Sequence, residues 1–190
     1  MKETKNIMIV GVGGQGTLLT SRILGGITVA AGYDVKLSEV HGMAQRGGSV
    51  VTFVRFGEQV NEPVVEEGNV DMLISFERLE ALRYAHFLKK DGVLVVNDCR
   101  IDPMTVVIGA KQYPEAILET LEKEHAVHSI NGNAIAAELG NSKVLNSVVL
   151  GLAAKFLPFS REDWIAMIEQ TIPPKTVPLN CKAFLRGFEA

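Results

Sequence analysis

Apolar positions along the chain form short runs that alternate with segments of helical spacing. The first run, residues 6–10, is rich in isoleucine and valine and stops at Gly11, which is typical of a buried parallel strand. The spacing predicts a helix over residues 17–31, ended by Gly32, and a second strand over residues 34–38. The chain therefore opens with a strand–helix–strand unit.

The same alternation continues through the middle of the chain. The pattern predicts strands over 49–56, 71–75, 93–97, 105–109 and 126–130, and helices over 78–88 and 115–123. We therefore expect an α/β fold of Rossmann-like, doubly wound type, in which a mostly parallel sheet carries helices on both faces.

The last third of the chain has mainly helical spacing. Residues 133–156 form a helical pattern with a break near Gly140 and Asn141, Ser160 is expected to cap a helix through residue 170, and residues 181–188 predict a final short helix. An exposed apolar surface, of the kind that binds a partner chain, is expected here from Trp164, Ile165, Ile168 and the Pro173–Pro174 turn. The alternative is that Trp164 fills the core.

Composition is that of a single globular domain spanning residues 1–190. The chain is 47% hydrophobic and 22% charged, which allows a sizeable buried core. Its 19 basic and 22 acidic residues are mixed, so no basic block indicates a nucleic-acid partner. The longest apolar stretch, residues 148–157, contains Lys155 and is too short for a bilayer, and the N-terminus lacks a signal-peptide pattern. We expect a soluble, cytoplasmic protein that contacts neither membrane nor nucleic acid.

Cysteine and histidine spacing gives no metal motif. Cys99 and Cys181 are far apart, and neither has a second cysteine or a histidine at the close spacing of zinc or iron–sulfur motifs. His125 and His128 lie three residues apart without further ligand types nearby, so ordinary strand or surface histidines are expected. No metal is assigned to this chain.

A glycine-rich segment joins the first predicted strand to the first helix. Such a loop bends tightly and directs backbone N–H groups at an anion near the positive end of the helix. Glu39, which follows the second strand, would bond a ribose hydroxyl in an NAD- or FAD-binding domain. The alternative is that the glycines only allow close strand–helix packing. The candidate anion-binding residues are Gly11, Gly13, Gly14, Gln15 and Gly16.

A second glycine-rich segment follows the second strand, over residues 41–48. Doubly wound topology would place it beside the first loop, so that both face one crevice. Arg46 offers a fork of donors suited to a carboxylate or phosphate and joins the candidate anion-binding residues. Residues that could contact either a ligand or a partner chain are Glu39, His41, Gln45, Gly47 and Gly48.

Features needed for a complete oxidative decarboxylase are missing from the sequence. Such an enzyme needs a carbanion-stabilising cofactor such as thiamine diphosphate, and a flavin, nicotinamide or cluster to remove electrons. The chain contains no cysteine cluster set and no Gly-Asp-Gly segment with a following Asn-Asn. If the chain belongs to such an enzyme, other subunits carry the chemistry.

Two motifs together resemble the gamma-type domain of 2-oxoacid:ferredoxin oxidoreductases. They are Gly-Val-Gly-Gly-Gln-Gly at residues 11–16 and Ser-Glu-Val-His-Gly-Met-Ala-Gln-Arg-Gly-Gly-Ser-Val at residues 38–50. The His-Gly-Met-x-Gln-Arg-Gly-Gly form, with Pro-Pro-Lys at 173–175 and residues 180–187, is similar to the beta subunits of the indolepyruvate members. The resemblance spans nearly the whole chain.

The resemblance implies a larger alpha subunit that carries thiamine diphosphate with Mg²⁺ and iron–sulfur clusters. Together the two subunits would convert an arylpyruvate and CoA into aryl-acetyl-CoA and carbon dioxide, with ferredoxin as electron acceptor in anaerobic metabolism. This chain would hold no cofactor, supply no catalytic residue and be inactive alone, although it could form a homodimer when isolated. The equivalent subunit for pyruvate, 2-oxoglutarate or 2-oxoisovalerate, and a separate NAD- or FAD-binding module, remain open.

Overall fold

A six-stranded sheet organises the chain, whose computed structural model describes residues 3–42 and 47–190. The strand order is β2-β3-β1-β4-β5-β6, and β3 alone runs antiparallel to its neighbours. The α/β fold with a mostly parallel sheet is thereby confirmed. The strands are β1 Lys5–Val12, β2 Asp34–His41, β3 Ser49–Gly57, β4 Val70–Ser75, β5 Leu88–Asn97 and β6 Ala126–Ile130.

Eight α-helices among the described residues connect and cover these strands. Most lie where the helical spacing predicted them, although several boundaries differ by a few residues. They are α1 Thr17–Ala30, α2 Arg78–Tyr84, α3 Met104–Val107, α4 Ile117–Leu121, α5 Gly132–Glu138, α6 Leu145–Ala154, α7 Arg161–Thr171 and α8 Val177–Phe188.

Strand β3 separates the two strands of the opening strand–helix–strand unit. β2 and β3 form an antiparallel pair, and β3 then pairs along its whole length with β1. The parallel strands β1 and β2 are therefore not neighbours, unlike the simplest arrangement of such a unit. This insertion brings the segment after β2 next to the segment after β1.

Alternate residues of each strand enter two separate cores, one on each face of the sheet. On β1, Ile7 and Ile9 pack in the core that contains α1, α6, α7 and α8, whereas Met8 and Val10 pack in the core that contains α2 and α4. Both sets are completely buried, which is why the strand sequence is continuously apolar rather than alternating. The prediction of helices on both faces is confirmed.

Helices α6 and α8 cross in unusually close contact because each contributes a glycine. A Cβ atom at Gly151 would lie 2.1 Å from the carbonyl oxygen of Phe184, and one at Gly187 would lie 1.9 Å from that of Val148. Real Cβ atoms do not approach backbone atoms so closely, so larger residues would push the helices apart. All ten residues of α6 are buried, and this crossing closes the core on that face.

Two predictions in the middle of the chain are wrong. Residues 105–109, predicted as a strand, form the short helix α3 and a following turn, with Met104, Val107 and Ile108 exposed. The β-branched run favours a strand locally, but β6 pairs with β5 and leaves this segment outside the sheet. The helix predicted over 78–88 ends at Tyr84, after which a 3₁₀ turn leads into β5 at Leu88.

Two predictions in the last third have different outcomes. Ser160 caps α7 as expected, because its hydroxyl accepts from the Asp163 backbone N–H while the Asp163 carboxylate accepts from the Ser160 backbone N–H. The predicted exposed apolar surface is wrong for Trp164 and Ile168, which are fully buried. They face the core between α7 and α8, while Ile165 lines an apolar groove of about 680 Å³ on the outside of these helices. Within the described ranges, no helix has the length and apolar character needed to cross a membrane.

Alanine substitutions at two helical glycines test the α6–α8 crossing. We expect Gly187→Ala to reduce the free energy of unfolding by several kcal/mol, about 3 kcal/mol or more, because the added methyl group meets backbone. Gly25→Ala in α1 is the matched control, since its Cβ would meet only Leu37 Cδ1 at 3.8 Å and alanine favours the helix. Urea unfolding measures both variants, and equal stability changes would contradict the crossing.

Candidate functional site

The two glycine-rich segments meet at the carboxyl edge of the sheet. The Gly13 N–H donates to the Gly48 carbonyl oxygen at 2.8 Å, and the Gly47 N–H donates to the Gly13 carbonyl oxygen at 3.3 Å. These bonds extend the β1–β3 ladder, which ends with Val12 opposite Ser49. The structure therefore brings together the two loops that the sequence predicted to face one crevice.

The middle of the second loop contributes two of the predicted site residues. Gln45 and Arg46 lie outside the described residues, which stop at Gly42 and resume at Gly47. Their predicted roles stay predictions. His41, at the end of β2, is exposed, and its Nδ1 atom lies 3.2 Å from the Gly42 carbonyl oxygen.

Gln15 has a structural contact that its sequence position did not reveal. Its side-chain oxygen accepts from the Val12 N–H at 2.7 Å, and its amide nitrogen donates to the Phe76 carbonyl oxygen at 2.9 Å. The Gln15 backbone N–H is also used within the loop, where it donates to the Val12 carbonyl oxygen at 3.2 Å. A Cβ on Gly11 would lie only 2.9 Å from the Gln15 side-chain oxygen, so a glycine there leaves room for this contact. Gln15 thus fixes the first loop to the end of β4.

Helix α1 begins at this loop, and its N-terminus has neither a capping side chain nor an acidic residue in its first turn. Gly16 precedes the helix in a left-handed conformation, with φ at 91°. Because the first N–H groups of a helix have no partner within the helix and carry partial positive charge, this end favours an anion.

A cavity of about 380 Å³ lies directly in front of α1. Its volume is in the range of small-molecule sites. Val50 of β3 and the end of β2 close one side, and the loop closes the other. The described residues that line it are Gly13, Gly14, Gly16, Thr17, Leu18, Glu39, His41 and Val50.

Three buried polar atoms around this cavity have no hydrogen-bond partner among the described residues. They are Oε2 of Glu39, Oγ1 of Thr52 and Oδ1 of Asn146. Thr52 is completely buried and lies opposite Glu39 in the β2–β3 ladder, while Asn146 is 4% exposed and its side chain lies against Gly16. Buried polar atoms are usually paired, so three unpaired ones in neighbouring positions are unusual, and of the three residues Glu39 lines the cavity itself.

Thr52 and Asn146 were not predicted from the sequence. Asn146 comes just before the apolar run of α6, and an asparagine in a helix that is otherwise almost entirely apolar was a signal that could have identified it. Thr52 gave no comparable signal, because threonine is common in strands.

The second loop is also anchored from the opposite face of the sheet. Ser49, the first residue of β3, donates its hydroxyl hydrogen to the Glu80 carboxylate at 2.5 Å, and Arg83 Nε lies 3.2 Å from the other carboxylate oxygen. Burial raises the pKa of Glu80 above its ordinary value, although the Ser49 hydrogen bond and Arg83 oppose the shift. This contact holds the end of the loop independently of the cavity.

A second cavity of about 390 Å³ lies near the ends of β4 and β5. Buried Glu77 accepts from the Tyr113 hydroxyl at 2.6 Å and from the Ile101 N–H at 3.1 Å. It therefore fixes both ends of the segment that connects β5 to α4. Burial and this carboxylate raise the pKa of Tyr113. Two arginines line this cavity, and both are paired: Arg78 with Asp98 and Arg100 with Asp102, so the described lining offers no unpaired arginine.

The described residues provide no group of three or more histidine, cysteine or acidic side chains that could hold a metal ion. Cys99 and Cys181 are both free and partly buried, and burial raises the pKa of each thiol.

Comparison with known proteins connects this fold to an enzyme family. The family model for pyruvate ferredoxin/flavodoxin oxidoreductases matches residues 6–190. The chain belongs to this family. A curated relative, the indolepyruvate oxidoreductase subunit IorB of Pyrococcus horikoshii, is 42% identical over 100% of this chain and 96% of its own length. The pyruvate synthase subunit PorC of Methanothermobacter marburgensis is 28% identical over 94% of this chain and 93% of its own length.

Solved structures show the same relationship. The gamma subunit of a keto/oxoacid ferredoxin oxidoreductase from Geobacter sulfurreducens is 25% identical, with a TM-score of 0.72 over 97% of this chain and 96% of that chain. The predicted resemblance to gamma-type domains of 2-oxoacid:ferredoxin oxidoreductases is confirmed. The cavity between the glycine loops is therefore a feature of a member of the pyruvate ferredoxin/flavodoxin oxidoreductase family.

Two alanine substitutions in the first loop test how closely α1 and α6 approach. Gly14 and Gly16 both have positive φ angles, of 105° and 91°, but only a Cβ on Gly16 would meet a neighbour, Asn146, at 3.1 Å. We expect each variant to lose about 1 to 2 kcal/mol of stability from backbone strain, with a further loss for Gly16→Ala. Thermal unfolding of the two variants gives the comparison, and a smaller loss for Gly16→Ala than for Gly14→Ala would be inconsistent with this packing.

Proposed function

We propose that this chain is the small subunit of an indolepyruvate:ferredoxin oxidoreductase. The enzyme converts an arylpyruvate and CoA into aryl-acetyl-CoA and carbon dioxide, and two electrons pass to ferredoxin. Identity is 42% to an indolepyruvate oxidoreductase subunit over the full chain, against 28% to a pyruvate synthase subunit. This difference favours the indolepyruvate type over the pyruvate type.

The redox and decarboxylation chemistry belongs, in this proposal, to a larger partner subunit. That subunit holds thiamine diphosphate with Mg²⁺, which stabilises the carbanion formed on decarboxylation, and iron–sulfur clusters that carry the electrons. The present chain contributes no catalytic residue and is inactive alone. Its role is to bind and orient a substrate or to complete the binding surface of the partner.

The observation that carries a binding role is the uncapped start of α1 in front of a cavity between two loops. The N–H groups of Gly14 and Gly16 and of the first turn of α1 are the donors for a phosphate, and Arg46 adds a charged donor from the second loop. CoA is the anionic substrate of this reaction class. We therefore assign the CoA phosphates to this cavity, and contact with the partner subunit is the rival role for Arg46 and His41.

A dinucleotide-binding module is the second candidate, and one observation favours it. Glu39 lies at the end of β2 and lines the cavity at the start of α1, which is the relation of the acidic residue to the glycine loop in NAD-binding domains. The subunit role has the support of family membership over residues 6–190. Binding of NAD in place of CoA by the isolated chain would favour the module.

Reconstitution with the large subunit tests the proposed activity. We expect the complex to reduce ferredoxin with CoA and indolepyruvate, phenylpyruvate or hydroxyphenylpyruvate, and the isolated chain to be colourless and inactive because the larger subunit holds the cofactors. The assay measures ferredoxin reduction and CoA-thioester formation, with pyruvate and 2-oxoglutarate as competing substrates. A clear preference for either of these two acids would overturn the indolepyruvate assignment.

An Arg46→Ala variant of the assembled enzyme tests the CoA assignment. We expect the KM for CoA to rise about tenfold or more, as for loss of a charged hydrogen bond, with assembly and the KM for the 2-oxoacid unchanged. Arg161→Ala, which removes the same charge from an exposed position at the start of α7, is the control. Failed assembly would instead assign Arg46 to the subunit interface, and intact assembly with unchanged kinetics would refute both roles.

A further inference from the structure

Glu39 presents a carboxylate to the cavity without a partner for one of its oxygens. Oε2 is buried and makes no hydrogen bond with any described residue, although Glu39 lines the cavity. An unsatisfied buried acceptor is costly, and more so when it is charged. The folded chain therefore keeps an acceptor that the described residues do not satisfy.

The pairing of β2 with β3 determines on which face of the sheet Glu39 lies. Glu39 lies opposite Thr52 in the β2–β3 ladder, and both side chains lie on the face of the sheet that carries α1. The Thr52 hydroxyl is buried and also without a partner. The strand register keeps Glu39 on this face of the sheet, because a shift by one residue would move it to the other face.

The opposite wall of the cavity, formed by the start of α1, favours a negatively charged group. The start of α1 has no capping side chain and no acidic residue in its first turn, so it attracts a negative group. Behind it, Asn146 is 4% exposed, lies against Gly16 and has an unpaired Oδ1 atom. A bare anion in this cavity would be stabilised by α1 but repelled by Glu39.

A ligand with both an anionic group and a hydrogen-bond donor would fit both the start of α1 and Glu39. We propose that Glu39 is a specificity-determining residue, which selects a phosphate ester that also carries a hydroxyl or N–H donor within reach of the carboxylate. The phosphate binds at the start of α1, and the donor bonds the Glu39 carboxylate. This inference rests on the proposed function, in which the cavity binds an anionic ligand, and it adds that a phosphate alone is rejected.

Titration of the full chain and of a Glu39→Gln variant with three probes tests this role. The probes are inorganic pyrophosphate, which has no neutral donor group, ADP, which carries ribose hydroxyls and an amine, and CoA. We expect the variant to bind ADP and CoA about tenfold more weakly, because a charge-assisted hydrogen bond is lost. The same variant binds pyrophosphate about threefold or more tightly, because a repulsion is removed. A purely structural role for Glu39 would change all three affinities in the same direction.

Glu122→Gln is the matched control, since it removes one exposed carboxylate from the end of α4, on the opposite face of the sheet. It should change none of the three affinities by more than about twofold, as expected for a distant screened charge. If Glu39→Gln weakens or leaves unchanged the binding of pyrophosphate, or leaves CoA and ADP unaffected, the selective role of Glu39 is overturned.

The outcomes also separate this inference from the proposed function. Opposite responses of ADP and pyrophosphate, in a chain that does not bind CoA, would support Glu39 and overturn the CoA assignment. Binding of CoA with no effect of the variant would support the CoA assignment and overturn the role of Glu39. If the unmodified chain binds none of the three probes, both are overturned.

Discussion

The backbone hydrogen bonds between Gly13 and residues 47 and 48 are the contact on which the site depends. They exist because β3 is inserted between β1 and β2, so that the start of β3 lies directly beside the end of β1. In a sheet with β1 and β2 as neighbours, the loop after β2 would have a different position. The insertion therefore turns two separate glycine-rich segments into the two sides of one cavity.

Polar groups at this edge of the sheet divide into two kinds. Gln15 and Asn97 are fully used in the structure, since both donate to the Phe76 carbonyl oxygen and fix the ends of β1, β4 and β5. Glu39, Thr52 and Asn146 each have a buried, unpaired atom; Glu39 lines the cavity, Thr52 lies opposite Glu39, and Asn146 lies against Gly16. Trp164 Nε1 and His125 Nδ1 are also buried without a partner, but neither residue lines the cavity, whereas Glu39 does.

Periodicity predicted the parts of the fold that depend on local pattern. The strands with continuous apolar runs and the Ser160 cap were found because burial on two faces and helix capping leave direct signals in the sequence. The strand predicted over residues 105–109 failed because strand formation needs a neighbour, which local pattern does not reveal. The sequence left Trp164 open between an exposed surface and the core, because a helical face gives no indication of whether another helix, here α8, covers it.

The candidate site was predictable in its backbone and less so in its side chains. Glycine spacing identified both loops, and the topology of parallel strands predicted their common edge. The contacts of Gln15 and the positions of Thr52 and Asn146 depend on strand register and on the approach of α6 to α1, which are long-range features. Arg46 and Gln45 remain predictions from sequence, because they lie outside the described residues.

Amide hydrogen exchange of the assembled enzyme, with and without CoA, tests most directly whether this cavity is a substrate site. The account predicts that CoA slows exchange of the free N–H groups of Gly14, Gly16, Thr17 and Leu18, and of residues 39–41, while α7 and α8 exchange at unchanged rates. Protection of these amides on assembly with the large subunit, with no further change on addition of CoA, would contradict the account and identify the cavity as part of the subunit interface.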